Sequence, residues 1–247
     1  MNCSIYNTQF GKFLLRNNDN MSQQIRQGIF HDAFLKPIFN KYIHESDVCI
    51  DIGAHIGFLS LYLSRLVGHT GIIYAIEPIA FTYYQLCANI FLNNCMNIIP
   101  LQIAAYDQLC HMSILPQIKQ QTTLVYQDRQ IDYDNCVNVG GIGLGIDPIG
   151  TIIGKPLDDI IPRNRHITFI KCDAQGSDLK ALIGLIKIIQ QDKPTIVFEF
   201  EEKLSSAHQC GLNDFKNFMN RINYNMEKIS THKKNTQDYL CRSIKKS

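Results

Sequence analysis

The chain has 247 residues, of which 45% are hydrophobic, and is therefore long enough to form one domain with a full core. Its formal charge of +2 argues against the clustered basic face of a nucleic-acid-binding protein, and the longest apolar stretch, 179–189, is interrupted by two lysines and does not span a membrane. Nine scattered cysteines without a C-x-x-C pair argue against a zinc site and indicate free thiols in a reducing, cytoplasmic setting.

The first 46 residues predict a mostly helical leader that packs on a domain formed by residues 47–247. Residues 10–15 fit a short strand, and 17–20 fit a turn. Apolar residues at helical spacing then run from 23 to 42.

Beyond the leader, apolar runs typical of buried strands alternate with segments of helical periodicity, which is the pattern of an α/β domain. The predicted strands are 48–52, 72–76, 98–104, 167–172 and 195–200. One helix is predicted directly after Gly57, and three more are predicted over 79–93, 177–190 and 213–222. The tail, 226–229 and 239–244, predicts an antiparallel hairpin.

The alternation fails between about 106 and 155, where we expect an irregular insertion of short strands and loops. Residues 139–145 within it are rich in glycine, but no Gly-Lys-Ser/Thr follows, so they do not form a P-loop. Two interpretations stay open: a flexible loop, and a lid that touches a cofactor or substrate.

The segment from Asp51 to Gly57 places an acid and a tight glycine turn directly after an apolar strand, and Glu77-Pro78 ends the next strand. A nucleoside-bearing cofactor at the edge of a parallel sheet requires this order, because the turn allows close approach and an acid on the second strand can accept both ribose hydroxyls.

The glycine spacing distinguishes between cofactors. A dinucleotide requires G-x-G-x-x-G, whereas this turn is Gly53-x-x-x-Gly57 with Asp51 before it. The acid suits the cationic S-adenosylmethionine better than a pyrophosphate. His55 occupies the middle of the turn, which is tolerable because histidine is enriched at positive φ. The alternative is a strand-turn-helix without a ligand.

The ordered motifs of the chain resemble those of the FkbM-type S-adenosylmethionine-dependent methyltransferases. They are 51–57, 74–78, 104–107, Asn138-x-Gly140-Gly141, 156–160, 169–176 and 194–199. The resemblance implies the Rossmann-like class I methyltransferase fold, with a seven-stranded, mostly parallel sheet and a C-terminal antiparallel hairpin. It also implies O-methylation of a sugar, glycan or small-metabolite hydroxyl.

The chain departs from the family pattern at four positions. Gln175 and Asp178 stand where the family usually has glutamates after the fourth strand, and His55 replaces a usual asparagine. Asp32, or His31 beside it, occupies about the place of a leader glutamate near the cofactor. Loss of the carboxylate at Gln175 raises the prospect of an altered substrate or reduced activity.

Sheet geometry brings strand ends together, which gives the expected site. The cofactor residues predicted at these ends are Asp51, Gly53, Ala54, His55, Gly57, Glu77, Pro78, Ala104 and Asp107, and the family resemblance adds Asp32. Asp173 is the first candidate for the general base, with Glu199, His31 and His208 behind it. Each acid could instead cap a helix. No metal ligand is assigned, although Asp173 with Asp178 or Glu199 could hold a divalent cation.

Two further functions stay open beside O-methylation of a small-molecule or glycan acceptor. One is a methyltransferase-like domain that binds S-adenosylmethionine or a partner without turnover. The glutamine at Gln175, where the family usually has a glutamate, is the reason to consider it. The other is an RNA or protein methyltransferase. The weak positive charge argues against RNA, and the missing Asn-Pro-Pro-Tyr motif after strand four argues against methylation of an exocyclic base amine.

Overall fold

The computed structural model describes residues 3–115, 126–127, 130–131, 138–232 and 236–244. The leader contains β1 (Cys3–Thr8), β2 (Gly11–Arg16), α1 (Asn20–Arg26) and α2 (Lys36–Tyr42). It therefore begins with a hairpin, whose second strand overlaps the strand predicted over 10–15, and its helices follow in the second half. The predicted helix over 23–42 is interrupted, because the chain turns at Gly28 with a φ of 74°.

Side chains of the core fasten the leader hairpin to the domain. Asn89 accepts a hydrogen bond from the backbone N–H of Leu14 at 2.6 Å, and Asn93 accepts one from Lys12 at 3.0 Å. Gln85 donates to the carbonyl of Leu14 at 3.2 Å. The exposed edge of the hairpin is thereby satisfied by helix side chains rather than by another strand.

The first half of the core follows the predicted alternation. Its elements are β3 (Val48–Ile52), α3 (Phe58–Val67), β4 (Ile72–Ile76), α4 (Ala80–Leu92) and β5 (Ile98–Leu101). The predicted limits of β3 and β4 are confirmed. β5 ends three residues before the predicted 104, because the chain leaves the main sheet after Leu101.

The insertion builds a small sheet of its own. Its strands are β6 (Ala104–Ala105), β7 (Cys110–Ile114), β8 (Tyr126–Gln127), β9 (Gln130–Ile131), β10 (Leu144–Ile146) and β11 (Ile152–Lys155). Four of them pair in the order β10-β7-β11-β6 around the buried Met112. Residues 116–125, 128–129 and 132–137 of the insertion, with Cys136 among them, lie outside the described residues.

The second half returns to the main sheet. Its elements are β12 (Phe169–Cys172), α5 (Asp178–Ile183), α6 (Ile186–Asp192), β13 (Thr195–Glu201), α7 (Glu202–Ser206), α8 (Leu212–Arg221), β14 (Tyr224–His232) and β15 (Thr236–Ser243). The single helix predicted over 177–190 is two helices that meet at Gly184. A Cβ there would lie 2.1 Å from the carbonyl oxygen of Tyr106, so the break lets two backbones pack closely.

The main sheet has the order β14-β15-β13-β12-β3-β4-β5. Only β15 runs antiparallel to its neighbours, and the other pairs are parallel. The predicted seven-stranded, mostly parallel sheet with a C-terminal hairpin is confirmed. The chain order reverses between β3 and β12, and such a switch point opens a crevice at the carboxyl ends of the strands.

The core fills both faces of the sheet, and β3 is buried along its whole length. Ile50 and Ile52 pack on one face with Leu182 and Phe215, and Cys49 packs on the other face with residues of the leader and α3. This division follows from the alternation of side chains along a strand. Within the part of the chain that the structure describes, no helix has the length and apolarity to cross a membrane.

Candidate active site

A cavity of about 400 Å³ opens at the switch point, and this volume is typical of small-molecule sites. Eight of the eleven residues predicted for the site line it: Asp32, Gly53, Ala54, His55, Glu77, Pro78, Ala104 and Asp173. The cavity therefore gathers side chains and backbone from the leader, the glycine turn and the ends of β4, β6 and β12.

Gly53 allows the glycine turn to pack against the end of β12. Its φ is 72°, and a Cβ there would lie 1.8 Å from the carbonyl oxygen of Asp173. The backbone N–H groups of Gly53 and Ala54 both donate to the carbonyl of Ile76 at 3.0 Å. The turn is thus fixed on both sides by the neighbouring strands, and the position requires glycine.

We expect Gly53→Ala to lower the free energy of unfolding by about 3 kcal/mol or more, because backbone strain and a backbone clash act together. Gly140→Ala is the matched control: a Cβ there has only ordinary contacts, the shortest being 3.5 Å to His55, and stability should change by less than about 0.5 kcal/mol. Urea unfolding of both variants measures the difference, and equal midpoints would contradict the assignment.

Glu77 closes the cavity at the end of β4 and is only 5% exposed. Its Oε2 accepts the backbone N–H of His55 at 3.0 Å, and its Oε1 accepts that of Ile79 at 2.9 Å. Burial outweighs these two hydrogen bonds and raises the pKa of Glu77 to about 7. Each oxygen keeps a lone pair, so the carboxylate can also accept two ligand hydroxyls.

His55 lies in the glycine turn and contacts a leader residue that lines the cavity. Its φ is 52°, as its place in the turn predicts, and its Nδ1 lies 2.9 Å from the sulfur of Met21 in the leader. Gly140 and Gly141 line the cavity beside it, which supports the lid interpretation of the glycine-rich segment. Burial lowers the pKa of His55 to about 4, so the imidazole is neutral at physiological pH.

Asp51, which the sequence predicts as a cofactor residue, lies before the turn and outside the cavity lining. It is completely buried because β3 is covered on both faces. The hydroxyl of Ser60 donates to its Oδ2, and Lys171 Nζ lies 3.5 Å from its Oδ1. Asp51 therefore supports the turn from below.

Lys171 connects this buried layer to the cavity. Its Nζ lies 3.5 Å from Asp173 Oδ2 and donates to the carbonyl of Gly53 at 3.2 Å. Burial lowers the pKa of Lys171, but Asp173 and Asp51 more than offset this effect, and the net shift is upward. The lysine is therefore a charged partner of both carboxylates.

Asp107 and Gly57 are the other predicted residues outside the cavity lining. Asp107 forms an ion pair with Lys180 at 2.9 Å, because β6 joins the small sheet and carries the residues after it away from the cavity. Gly57 is the N-cap of α3, and its φ of 86° serves the start of that helix. Neither position supports direct contact with a cofactor.

The ends of β12 and β13 form the opposite wall. Gln175 Nε2 donates to Asp173 Oδ1 at 2.7 Å and to Glu199 Oε2 at 3.4 Å. Burial and the nearby Asp173 raise the pKa of Glu199 to about 10, so that group holds its proton at neutral pH. Glu201 also lines this wall and was not predicted, although residues two apart on a strand share one face.

The other candidate bases and metal ligands have different surroundings. His31 lines the cavity, whereas the buried His208 does not and lies 3.3 Å from the hydroxyl of Tyr106. Asp178 accepts backbone N–H groups of Ala174 and Gly176 and stabilises their turn. Among the described residues, no group of three or more histidines, cysteines or acids could hold a metal ion.

Three leader residues line the cavity but were not predicted from the sequence: Asn20, Met21 and Gln24. They lie at the start of α1, which Asp19 caps by accepting the backbone N–H of Ser22 at 2.8 Å. The helical periodicity of the leader marks its buried face and gives no sign that its first turn covers a cavity.

The model of the methyltransferase FkbM domain matches residues 51–226 of the chain. The chain belongs to the FkbM methyltransferase family. No curated protein matches the sequence.

Solved methyltransferase structures share the fold of this family member. A Clostridium thermocellum protein provisionally named an rRNA methylase has a TM-score of 0.55 at 8% identity, over 94% of this chain and 100% of its own. A SAM-dependent methyltransferase from Aquifex aeolicus has a TM-score of 0.52 at 11% identity, over 88% and 96%. The FkbM methyltransferase of Methylobacillus flagellatus KT has a TM-score of 0.50 at 19% identity, over 89% of this chain and 54% of its own. These likenesses show the S-adenosylmethionine-dependent methyltransferase fold.

The cavity of the FkbM domain fits S-adenosylmethionine chemically. The turn at Gly53 exposes backbone to the cavity, and Glu77 offers two acceptor oxygens at the end of β4. The acids in the cavity wall outnumber the single lysine, Lys171, and so favour a cofactor that carries an ammonium and a sulfonium. A pyrophosphate would meet like charges there.

Proposed function

We propose that this FkbM methyltransferase uses S-adenosylmethionine to O-methylate a hydroxyl of a sugar, glycan or small metabolite. One observation carries the proposal. Asp173 lies in the cavity wall beside the glycine turn, with one carboxylate oxygen near Lys171 and the other bonded to Gln175. A carboxylate held in this way can serve as the general base that a hydroxyl acceptor requires.

The residues of the cavity divide the work between binding and proton transfer. The bound cofactor supplies a methyl group that its sulfonium makes electrophilic. Glu77 and the Gly53 turn hold the nucleoside and methionine parts, and Asp173 accepts the proton of the acceptor hydroxyl. Correct placement of the acceptor oxygen can contribute about 7–11 kcal/mol to the lowering of the barrier.

The charge of the cavity favours a neutral acceptor over a polyanion. The carboxylates of Asp32 and Asp173 would repel the phosphates of RNA, and a nucleic-acid site requires basic side chains near those phosphates. A polyol such as a sugar meets no such repulsion and can donate hydroxyl hydrogens to these carboxylates.

Calorimetric titration with S-adenosylmethionine, with NAD as control, tests the cofactor. We expect binding of the first and none of the second. Incubation with panels of sugars, glycans, small metabolites, RNA and protein then tests the acceptor through the mass increase of one methylation. Methylation confined to RNA or protein would overturn the proposal, as would a folded protein that does not bind the cofactor.

Glu77 should make cofactor binding pH-dependent. Its pKa of about 7 lies above the ordinary value of 4.5, so the free protein holds this proton at pH 6 and loses it by pH 8. Because the ionised form offers two acceptors to the ribose, we expect the Kd to fall about tenfold from pH 6 to pH 8, with proton release near pH 6.5. Titrations in buffers of different ionisation enthalpy measure both effects, and Glu77→Gln should remove the pH dependence.

A further inference from the structure

Gln175 links the two carboxyl groups at the ends of β12 and β13. Its Nε2 lies 2.7 Å from Asp173 Oδ1 and 3.4 Å from Glu199 Oε2, so one amide group reaches both. Its backbone has a φ of 48°, a conformation that non-glycine residues keep only where their surroundings hold it. The side chain is therefore aimed at the pair by a constrained turn.

The constraint on this turn comes from both sides. Asp178 accepts the N–H groups of Ala174 and Gly176 at 2.7 and 3.0 Å. A Cβ on Gly176 would lie 2.5 Å from the backbone of Leu204, so α7 packs directly on the turn. The backbone that carries Gln175 is therefore held in place from both sides.

Two neighbouring carboxyl groups titrate as a coupled pair and do not ionise independently. Lys171 Nζ lies 3.5 Å from Asp173 Oδ2, whereas burial and the nearby Asp173 raise the pKa of Glu199 to about 10 and keep its proton in place. The other charged groups that act on Glu199 are Asp178 on α5 and Asp238 on β15, which also raise its pKa, and Lys171 on β12, which lowers it by a smaller amount. The pair is thus one carboxylate and one carboxylic acid, with an amide donor between them.

We propose that Gln175 is a positioning residue, which holds Asp173 as the proton acceptor and Glu199 as a protonated hydrogen-bond donor toward the acceptor molecule. The inference rests on the proposed function and deepens it. In the proton-transfer step the acceptor O–H bond breaks and the proton passes to Asp173, while Glu199 keeps its own. A carboxylate at position 175 would instead bring a third acid into the pair and remove the donor.

Gln175→Met tests the inference, because methionine has a similar length and no donor. Gln209→Met is the matched control, since Gln209 is an exposed glutamine with a φ of 56°, outside the cavity lining. The readout is the ¹³C carboxyl titration of Asp173 and Glu199 in the cofactor-free protein, with resonances assigned through Asp173→Asn and Glu199→Gln. It requires neither turnover nor a known acceptor.

We expect the coupled titration of the two carboxyl groups to move to higher pH by about one pH unit in Gln175→Met, because the pair loses an N–H that donates to a carboxylate oxygen. Gln209→Met should titrate like the unaltered protein. Gln175→Glu should shift the pair further in the same direction, since it adds like charge, and it serves if the methionine variant does not fold. Unchanged titration of the pair in the folded variants would overturn the inference.

Kinetics separate this inference from the proposed function. With a hydroxyl acceptor in hand, Gln175→Met should lower kcat about tenfold, leave the Kd of S-adenosylmethionine unchanged and move the acid limb of the pH profile upward. An unaltered pH profile would overturn the positioning role. If the carboxyl titration shifts but no hydroxyl compound is ever methylated, the role of Gln175 in the carboxyl pair stands and only the O-methylation proposal is overturned.

Discussion

Asp173→Asn is expected to lower kcat by about 10²–10⁴-fold, the usual contribution of a general base. Asparagine keeps the size of the side chain and an oxygen that can accept from Gln175, but it cannot take the proton of an acceptor hydroxyl. The affinity for S-adenosylmethionine should change by less than about threefold, because Lys171 keeps Asp51 as a partner. Single-turnover rates and calorimetric titration measure the two quantities separately.

Asp107→Asn is the matched control for this variant. Asp107 is also an aspartate, but it pairs with Lys180 outside the cavity lining, so kcat should stay within about twofold of the unaltered enzyme. Full turnover in Asp173→Asn would show that another group takes the proton, and His31 in the cavity would be the next candidate.

Glu77→Ala is expected to weaken cofactor binding by about 10–100-fold, because it removes a charged acceptor from the end of the cavity that is proposed to hold the ribose. It also leaves the backbone N–H groups of His55 and Ile79 without their acceptor, at a cost of about 1–3 kcal/mol each to the free energy of unfolding. Calorimetry gives the Kd, and urea unfolding gives the stability.

Glu77→Gln separates these two effects. Glutamine keeps the volume and one oxygen for the glycine turn, so most of the stability should return, while cofactor affinity stays below that of the unaltered protein. If Glu77→Ala left the Kd unchanged in a folded protein, the whole assignment of the cofactor end of the cavity would be wrong.

The fold was largely predictable because the local sequence marks where its central strands begin and end. β3 and β4 are short apolar runs that end at an acid or a glycine turn, and nothing distant alters them. The helix predicted over 177–190 is different: it breaks at Gly184 because the backbone of Tyr106, far away in sequence, packs against it. The early end of β5 has a similar cause in the small sheet. Sequence periodicity does not record such contacts.

The site was predictable where strand ends of a parallel sheet converge. Gly53, Glu77 and Asp173 follow adjacent strands and therefore meet at one edge. Asp51 precedes the same turn but lies within a strand that is covered on both faces, and Asp107 leaves with the insertion. The leader residues that line the cavity reach it through tertiary packing, which one sequence does not reveal.

The contact between Met21 and His55 joins the leader to the turn proposed to hold the cofactor. A ligand that moves the leader outward must also change the free energy of that turn. Thermodynamic linkage then works in both directions: the factor by which the cofactor changes acceptor affinity equals the factor by which the acceptor changes cofactor affinity. A segment outside the sheet would then carry the coupling between the two binding events.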